Sequence, residues 1–313
     1  MPRFAPRLAA RFVAPLKLFV LLALLVPAAA AHDDLFDWTT ARPLHPGIQY
    51  ARLEVQQPRK MIIQAARVDH QTPGLRLHVT PRRQDWHVGK LETDRQTTRD
   101  FLRTSRERGI PMVLAVNADA FSPWPAPWDQ STPTDLLGLA VSDGVRVSRA
   151  AGTPSLLLTK SGRLRIEITP PDFDDSQVEE AVSGFALCLD EGRALPSGDD
   201  LHPRTGIGLS DEGRFLLLVV IDGRQPKSLG ATTHELGQWM LRFGAVRGIN
   251  MDGGGSSTLA WWNLAEPDES QRCELLNRPV GIGVRADRFP PALFLPSERA
   301  NGNNLGISLP AGR

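Results

Sequence analysis

The sequence predicts an α+β fold: a single domain built on a mixed β-sheet with a few helices, including one β-α-β crossover in the C-terminal third. Three observations predict it. After Gly47 the chain is mostly short β-prone runs separated by turn residues. Two segments instead repeat apolar residues at helical spacing between a capping residue and a glycine. Over residues 214–251 a strand, a helix and a second strand follow one another, at lengths that suit a right-handed crossover.

The first 31 residues are of another kind. Arg3, Arg7, Arg11 and Lys17 precede the apolar run "LFVLLALLV" (18–26), and the alanines up to Ala31 supply an A-x-A cleavage site before His32. This pattern is that of a secretory signal peptide. The run falls short of the ~20 apolar residues that span a bilayer, so no stable membrane insertion is expected after cleavage. Residues 32–46 are polar, with Pro43 and Pro46, and read as a lead-in. The folded domain is expected over 47–289, and the Pro-, Gly- and Asn-rich residues 290–313 as an extended or disordered tail.

Within the domain, "IQYARLEV" (48–55), "KMIIQAARVD" (60–69) and "LRLHVT" (75–80) are strands. "TTRDFLRTSRERG" (97–109) is a helix, with Thr97 and Asp100 resembling a capping box and Gly109 as its stop. "PMVLAVN" (111–117) is a buried strand, and a loop rich in Pro and Trp follows, containing Trp124 and Trp128. Turn signals at Asp143-Gly144, Ser161-Gly162, Glu191-Gly192 and Glu212-Gly213 separate further strands such as "SLLLT", "LRIEI" and "GFALCL". "RFLLLVVID" (214–222) is almost continuously apolar, as a strand covered on both faces should be. "ATTHELGQWMLRFGA" (231–245) is amphipathic, opened by a Thr232–Glu235 capping box and closed by Gly244. "VRGINM" (246–251) is the next strand. If the strands ending at Asp222 and Asp252 run parallel, both carboxylates emerge at one sheet edge, where ligand sites favour the strand ends.

Composition excludes some functions. With 41% hydrophobic and 23% charged residues, the 313-residue chain has globular composition and enough length for a large core. Removal of residues 1–31 takes the net charge from +1 to about −3. No basic run or stripe remains, so no nucleic-acid partner is expected. Cys188 and Cys273 are too few for a disulfide framework and fit no zinc spacing. An oxidising compartment would permit a bridge between them, and two free buried thiols fit equally.

The chemistry concentrates in a few stretches. In "GINMDGGGSSTLAWW" (248–262), Asp252 ends a strand and Gly253, Gly254, Gly255, Ser256 and Ser257 follow. Consecutive glycines can bare backbone N–H groups as an anion nest, and the hydroxyls can add hydrogen bonds; a tight turn is the plainer alternative. No Gly-Lys-Ser/Thr follows, and the serines do not form G-x-S-x-G, which rules out a Walker loop and a nucleophile elbow. In "HPRTGIGLS" (202–210), Arg204 can clamp a phosphate, His202 can transfer protons, and Thr205 adds a hydroxyl. "DGR" (222–224) places Asp222 beside Arg224, and "VNADAF" (116–121) places Asn117 and Asp119 after a strand. His234-Glu235 lacks the second histidine of a zincin. Carboxylates and an Asn could hold Ca²⁺ or Mg²⁺, although no ligand spacing demands a metal.

Taken in order, "VNADAF", "AVSGFALCL" (181–189), "HPRTGIGLS", "LLLVVIDGR" (216–224) and "SLGATTHELGQWMLRFGAVRGINMDGGGSSTL" (228–259) resemble the phosphodiester glycosidase family, relatives of the animal uncovering enzyme. The resemblance runs from about Gly47 to Arg288, and its last motif is the most specific. It implies a hydrolase that cleaves the glycosyl–phosphate bond of a sugar-1-phosphodiester, with an N-acetylglucosamine-like sugar. The polar motif positions it marks are Asn117, Arg204, Asp222, Arg224, Glu235, Asp252, Ser256 and Ser257. Ala118 and Ala120 stand where family members often carry Gly and a bulky aromatic, which puts the sugar preference in question. On this reading Arg204 and the glycine-loop amides receive the phosphate, and Asp252 or Asp222 orients water or stabilises an oxocarbenium-like sugar. A glycan substrate on an envelope or exopolysaccharide would suit an exported protein. Two other readings stay open: a carbohydrate-binding module without turnover, and a phosphodiesterase that cuts the P–O bond.

Overall fold

Strand Phe215–Ile221 shows how the core is organised. Leu216, Leu218 and Val220 point into a central core, while Leu217, Val219 and Ile221 point to the opposite face, against Leu236 and Met240 of the helix Thr233–Arg242 and Phe243 just after it. A strand covered on both sides needs apolar residues at every position, which explains the unbroken run in the sequence. The computed structural model describes residues 35–87, 89–123, 130–280 and 297–310. The signal segment, its cleavage site, Trp124 and Trp128 lie outside the described residues.

The strand belongs to an eight-stranded sheet. Its order is Arg42–His45, Ile48–Val55, Met61–Asp69, Phe215–Ile221, Arg204–Leu209, Arg247–Asn250, Ala186–Asp190 and Arg193–Ala194. Two five-stranded sheets complete the central core. One orders Val145–Ser148, Ala140–Ser142, Val178–Ser183, Thr153–Thr159 and Leu164–Thr169; the other orders Cys273–Leu275, Leu259–Trp262, Met112–Asn117, Asn304–Ser308 and Arg76–Val79. A small sheet joins Thr93–Asp94, Pro133–Leu136 and Phe121–Ser122. The helix Thr98–Glu107 covers the outer face of the second five-stranded sheet, packing Phe101 and Leu102 against Met112, Ala115, Ala260 and Trp262. Among the described residues no helix is long and apolar enough to cross a membrane.

The fold is therefore mainly β, which corrects the α+β expectation. Among the described residues every ladder between strands is antiparallel, a single bridge from Val280 to Ser297 alone being parallel, and there are two α-helices. The turn signals close antiparallel hairpins, as between Val145 and Ser142 around Asp143-Gly144, so most segments join the sheets without a helix. The expected crossover exists in direction only. Phe215–Ile221 and Arg247–Asn250 run the same way, but Arg204–Leu209 lies between them and pairs antiparallel with both. Helix Thr233–Arg242 carries the capping box predicted at Thr232 and Glu235. It packs so closely on this sheet that a Cβ at Gly206 would stand 2.0 Å from Met240 Cε, and one at Gly248 would stand 2.4 Å from Met240 Sδ.

The described residues of the lead-in and of the tail both join the sheets. Within the lead-in, Arg42–His45 is an edge strand, and Trp38 packs on Phe243. The described part of the tail is not disordered. Asn304–Ser308 is wholly buried between Met112–Asn117 and Arg76–Val79, with Leu305 and Ile307 in the central core. Alternating apolar residues in a Gly- and Asn-rich stretch were enough to make an inner strand. Cys188 and Cys273 are free and buried in different clusters, without a bridge.

Candidate active site

Register brings the polar motifs together. Arg204 pairs with Ile221, and Gly206 with both Val219 and Asn250. The start of one strand therefore shares an edge with the ends of its two neighbours, where His202, Pro203, Arg204, Asp222, Arg224 and Asp252 collect. Strand Met112–Asn117 arrives from another sheet and is joined there by the Asp252 N–H to Ala118 C=O bond, 3.0 Å.

The glycine loop is a 3₁₀ turn over Gly254–Ser256 rather than an open nest. The N–H groups of Gly254, Ser256 and Ser257 donate to the carbonyls of Pro203 (2.8 Å), Gly253 (3.2 Å) and Gly254 (3.3 Å). Those three amides are hydrogen-bonded within the protein rather than directed at a ligand. The glycines serve close approach instead. A Cβ at Gly253 would stand 2.8 Å from Pro203 O. Gly254 adopts φ +61°, and a Cβ there would stand 3.2 Å from Arg224 Nη2 and 3.3 Å from Nη1. Gly255 is buried in the turn.

Arg224 is the group this arrangement presents. Its backbone is left-handed, φ 58°, which is uncommon for a residue with a side chain. Nη2 lies 3.2 Å from His202 Nδ1. Burial alone lowers its pKa, and among the described residues no carboxylate pairs with it. Burial lowers the His202 pKa too, helped by the charges of Arg224 and Arg204, so its ring is neutral near pH 7. Arg204 donates through Nε to Ala231 O and through Nη2 to Asp200 O, each at 2.9 Å. Its guanidinium therefore holds the loop and adds charge. Arg224 also repels Arg299, lowering the latter's pKa after burial has done so. Arg204, Arg224 and Arg299 thus concentrate positive charge in one corner, with Arg204 and Arg299 already hydrogen-bonded within the protein.

Arg299 was missed because it lies in the segment read as a tail. Its Nη2 stands 3.3 Å from Asp252 Oδ2 and 2.7 Å from Ser256 Oγ, and its Nε stands 3.1 Å from the same hydroxyl. Burial raises the Asp252 pKa, opposed by Arg299 and Ser256. Ser257 Oγ is buried with no hydrogen-bond partner.

Asp222 is placed differently. Gln64 Nε2, Asn277 Nδ2 and the Arg278 N–H each donate to it at 3.1 Å, and burial still raises its pKa. With its lone pairs so engaged, it anchors neighbouring segments. Asn117 is fully buried: Nδ2 donates to Asp252 O at 2.6 Å, while Oδ1 accepts from Thr205 Oγ1 at 2.8 Å and Thr258 N at 3.1 Å. Asn117, held by Thr205, thus positions the Asp252 backbone from within the core. Asp119 lies beneath, accepting from Ser183 N and Asn303 Nδ2, and burial pushes its carboxyl well above the usual range. Glu235 caps its helix and pairs with Arg59, away from Arg224. No third His, Cys, Asp or Glu joins Asp222 or Asp252 at metal-binding spacing among the described residues.

The positively charged corner formed by Arg204, Arg224 and Arg299 thus lies beside the buried Asp252 carboxylate, at one edge of the eight-stranded sheet. The sequence profile of the phosphodiester glycosidases matches residues 111–285, more than half of the chain. The chain belongs to the phosphodiester glycosidase family, a glycosidase-type hydrolase class. Its fold is similar to the catalytic domain of zebrafish N-acetylglucosamine-1-phosphodiester alpha-N-acetylglucosaminidase auto-inhibited by its pro-peptide, at TM-score 0.61 and 17% identity over 85% of this chain and 86% of that one. It is also similar to a hypothetical protein from Synechocystis, at TM-score 0.52 and 14% identity over 86% of this chain and 64% of that one. At such identities the likeness is one of fold. A 59-residue segment is 37% identical to the SPbeta prophage-derived uncharacterized protein YomE of Bacillus subtilis (strain 168), spanning 19% of this chain and 9% of that protein.

Proposed function

We propose that this chain is an exported phosphodiester glycosidase that hydrolyses the glycosyl–phosphate bond of a sugar-1-phosphodiester, releasing free sugar and a phosphomonoester. The observation that carries the reading is Arg224: a half-buried guanidinium held over Gly254, flanked by His202 and repelled by Arg299, with no carboxylate of its own. Such a group is stabilised by a bound anion, and a phosphodiester supplies one. Charge developing on the leaving phosphate is then met by preorganised guanidinium donors in a low-dielectric corner. Asp252 lies two residues from Gly254, and on this reading its carboxylate stabilises the oxocarbenium-like sugar of a phosphodiester whose phosphate is held on Arg224. Water adds to the sugar carbon, the C–O bond breaks, the phosphate leaves with both of that bond's electrons, and the water's surplus proton passes to the phosphomonoester or to solvent. A phosphomonoester is a good leaving group and needs little protonation. Arg299 and Ser256 hold Asp252 in place. Export rests on the positive n-region, apolar run and alanine cleavage site of residues 1–31. A phosphosugar on an envelope polymer is the substrate such a location offers.

The test is hydrolysis of N-acetylglucosamine-1-phospho-methyl-mannoside in ¹⁸O-water by the chain lacking residues 1–31. The wild type should release sugar carrying the label. Arg224→Ala and Asp252→Asn should each lose about 100-fold or more in kcat/KM. Label in the phosphate would reassign the protein to P–O cleavage. Tight binding without turnover across a panel of phosphosugars would make it a binding module.

A further inference from the structure

The second five-stranded sheet carries His78 on Arg76–Val79, and the first carries Glu180 on Val178–Ser183 and Asp143 in the turn after Ala140–Ser142. Each brings one ligand-type atom to within 4.8 Å of the other two. Two features point to a ligand there. Glu180 is 3% exposed, yet its Oε2 is buried with no partner in good hydrogen-bonding geometry, and the Val79 N–H reaches its carboxyl only as a weak contact. Its Oε1 accepts the Asp143 N–H at 3.2 Å, which sets the two carboxyl-bearing residues side by side. A buried carboxyl oxygen with no well-aligned donor, next to a second carboxyl group, is costly to desolvate. The His78 ring is already oriented, with Nε2 2.8 Å from Ser308 Oγ. Ligating histidines characteristically have their second ring nitrogen fixed in this way. Asp143 is exposed, so the cluster opens to solvent on its side and leaves room for water ligands.

We propose that His78, Asp143 and Glu180 bind one divalent transition-metal ion and staple the two five-stranded sheets together. One imidazole with two carboxylates suits Zn²⁺ or Mn²⁺ better than Ca²⁺, which prefers an all-oxygen shell. The site is separate from the Arg224 pocket. Glu180 lies three residues before Ser183, whose N–H holds Asp119, and Ser308 lies at the opposite end of its strand from Asn304, the partner of Asn117. Its role is structural, steadying the strand that supports Asp119.

The experiment is isothermal titration of EDTA-treated, dialysed protein with ZnCl₂ and with MnCl₂, followed by thermal melts of the same samples. Wild type should bind one equivalent of at least one of these ions and melt at a higher temperature with it. Asp143→Asn keeps a residue that tolerates the left-handed turn, φ 49° here, so it should fold. It and His78→Asn should weaken that binding by at least about tenfold. Folded wild type that binds neither ion, or variants that bind as tightly as wild type, would overturn the site.

Discussion

Arg299 Nη2 reaches Asp252 Oδ2 at 3.3 Å across 47 residues of sequence, and both side chains are almost wholly shielded from solvent. The pair ties the C-terminal segment to the glycine loop and also spans to Ser256. Burial works against both charges, raising the Asp252 pKa and lowering that of Arg299. Such a pair contributes geometry more than net stability.

Removing one partner should therefore be severe. Arg299→Ala leaves a buried carboxylate unpaired and is expected to cost about 3–5 kcal/mol in urea unfolding. The double variant Asp252→Asn/Arg299→Met removes both charges and should recover most of that loss while remaining inactive. A double variant as unstable as the single one would show that the pair itself, rather than the orphaned charge, supplies the stability.

Much of the site was legible because its residues sit in motifs at strand ends. His202, Arg204, Asp222, Arg224 and Asp252 were all marked, and register gathers them at one edge. The use of each was less legible. Asp222 accepts three internal hydrogen bonds, and the loop amides point back into the chain, because hydrogen-bond partners come from distant strands. The fold class was missed for a related reason. Local patterning identifies strands but not the neighbour that fills the slot between two of them, as Arg204–Leu209 does. Arg299 and Asn304–Ser308 were hidden by a Gly- and Asn-rich composition, although Leu305 and Ile307 alternate as an inner strand requires.

That inner strand makes the C-terminus indispensable. A chain ending at residue 289 loses Arg299 and the central strand between Met112–Asn117 and Arg76–Val79, exposing two open edges and the Leu305 and Ile307 sockets. Edges of this kind invite aggregation. Circular dichroism and size-exclusion chromatography should show an insoluble or unfolded product; a monomer with a wild-type melt would contradict the placement.

Asn117 should behave as a structural hub. Asn117→Ala strips partners from the Thr258 N–H, the Thr205 hydroxyl and the Asp252 carbonyl at once. Buried polar groups left unpaired in this way predict a loss of at least about 2 kcal/mol, read from chemical denaturation. A change near zero would mean that water replaces the side chain.

His202 gives a pH signature with a definite sign. Its folded pKa lies below the ordinary value of 6.5 because of burial and the neighbouring arginines. Above about pH 6.5 the ring is neutral in both states, and its full contribution is present. As pH falls through the unfolded value toward the folded one, the unfolded state takes up the proton first and stability drops. Relative to wild type, His202→Gln should gain between about pH 7.5 and pH 5.5, by well under about 1 kcal/mol since the ring is partly exposed. Other titrating groups cancel in that difference, so a pH-independent offset would refute the assignment.

Gly254→Ala separates close approach from simple turn formation. The left-handed backbone, φ +61°, costs an alanine roughly 1–2 kcal/mol. The new methyl also stands at 3.2–3.3 Å from the Arg224 guanidinium, tight enough to push it aside. Stability should fall modestly, while kcat/KM for the phosphodiester should fall by about 10-fold or more, in keeping with the cost of misplacing a positioned group. Gly109→Ala serves as the control, since it carries a comparable backbone, φ +85°, with nothing within 4 Å of the added carbon. It should lose similar stability and keep its activity. Equal activity losses in the two variants would mean that Gly254 matters only as a turn residue and that Arg224 does not receive the phosphate beside it.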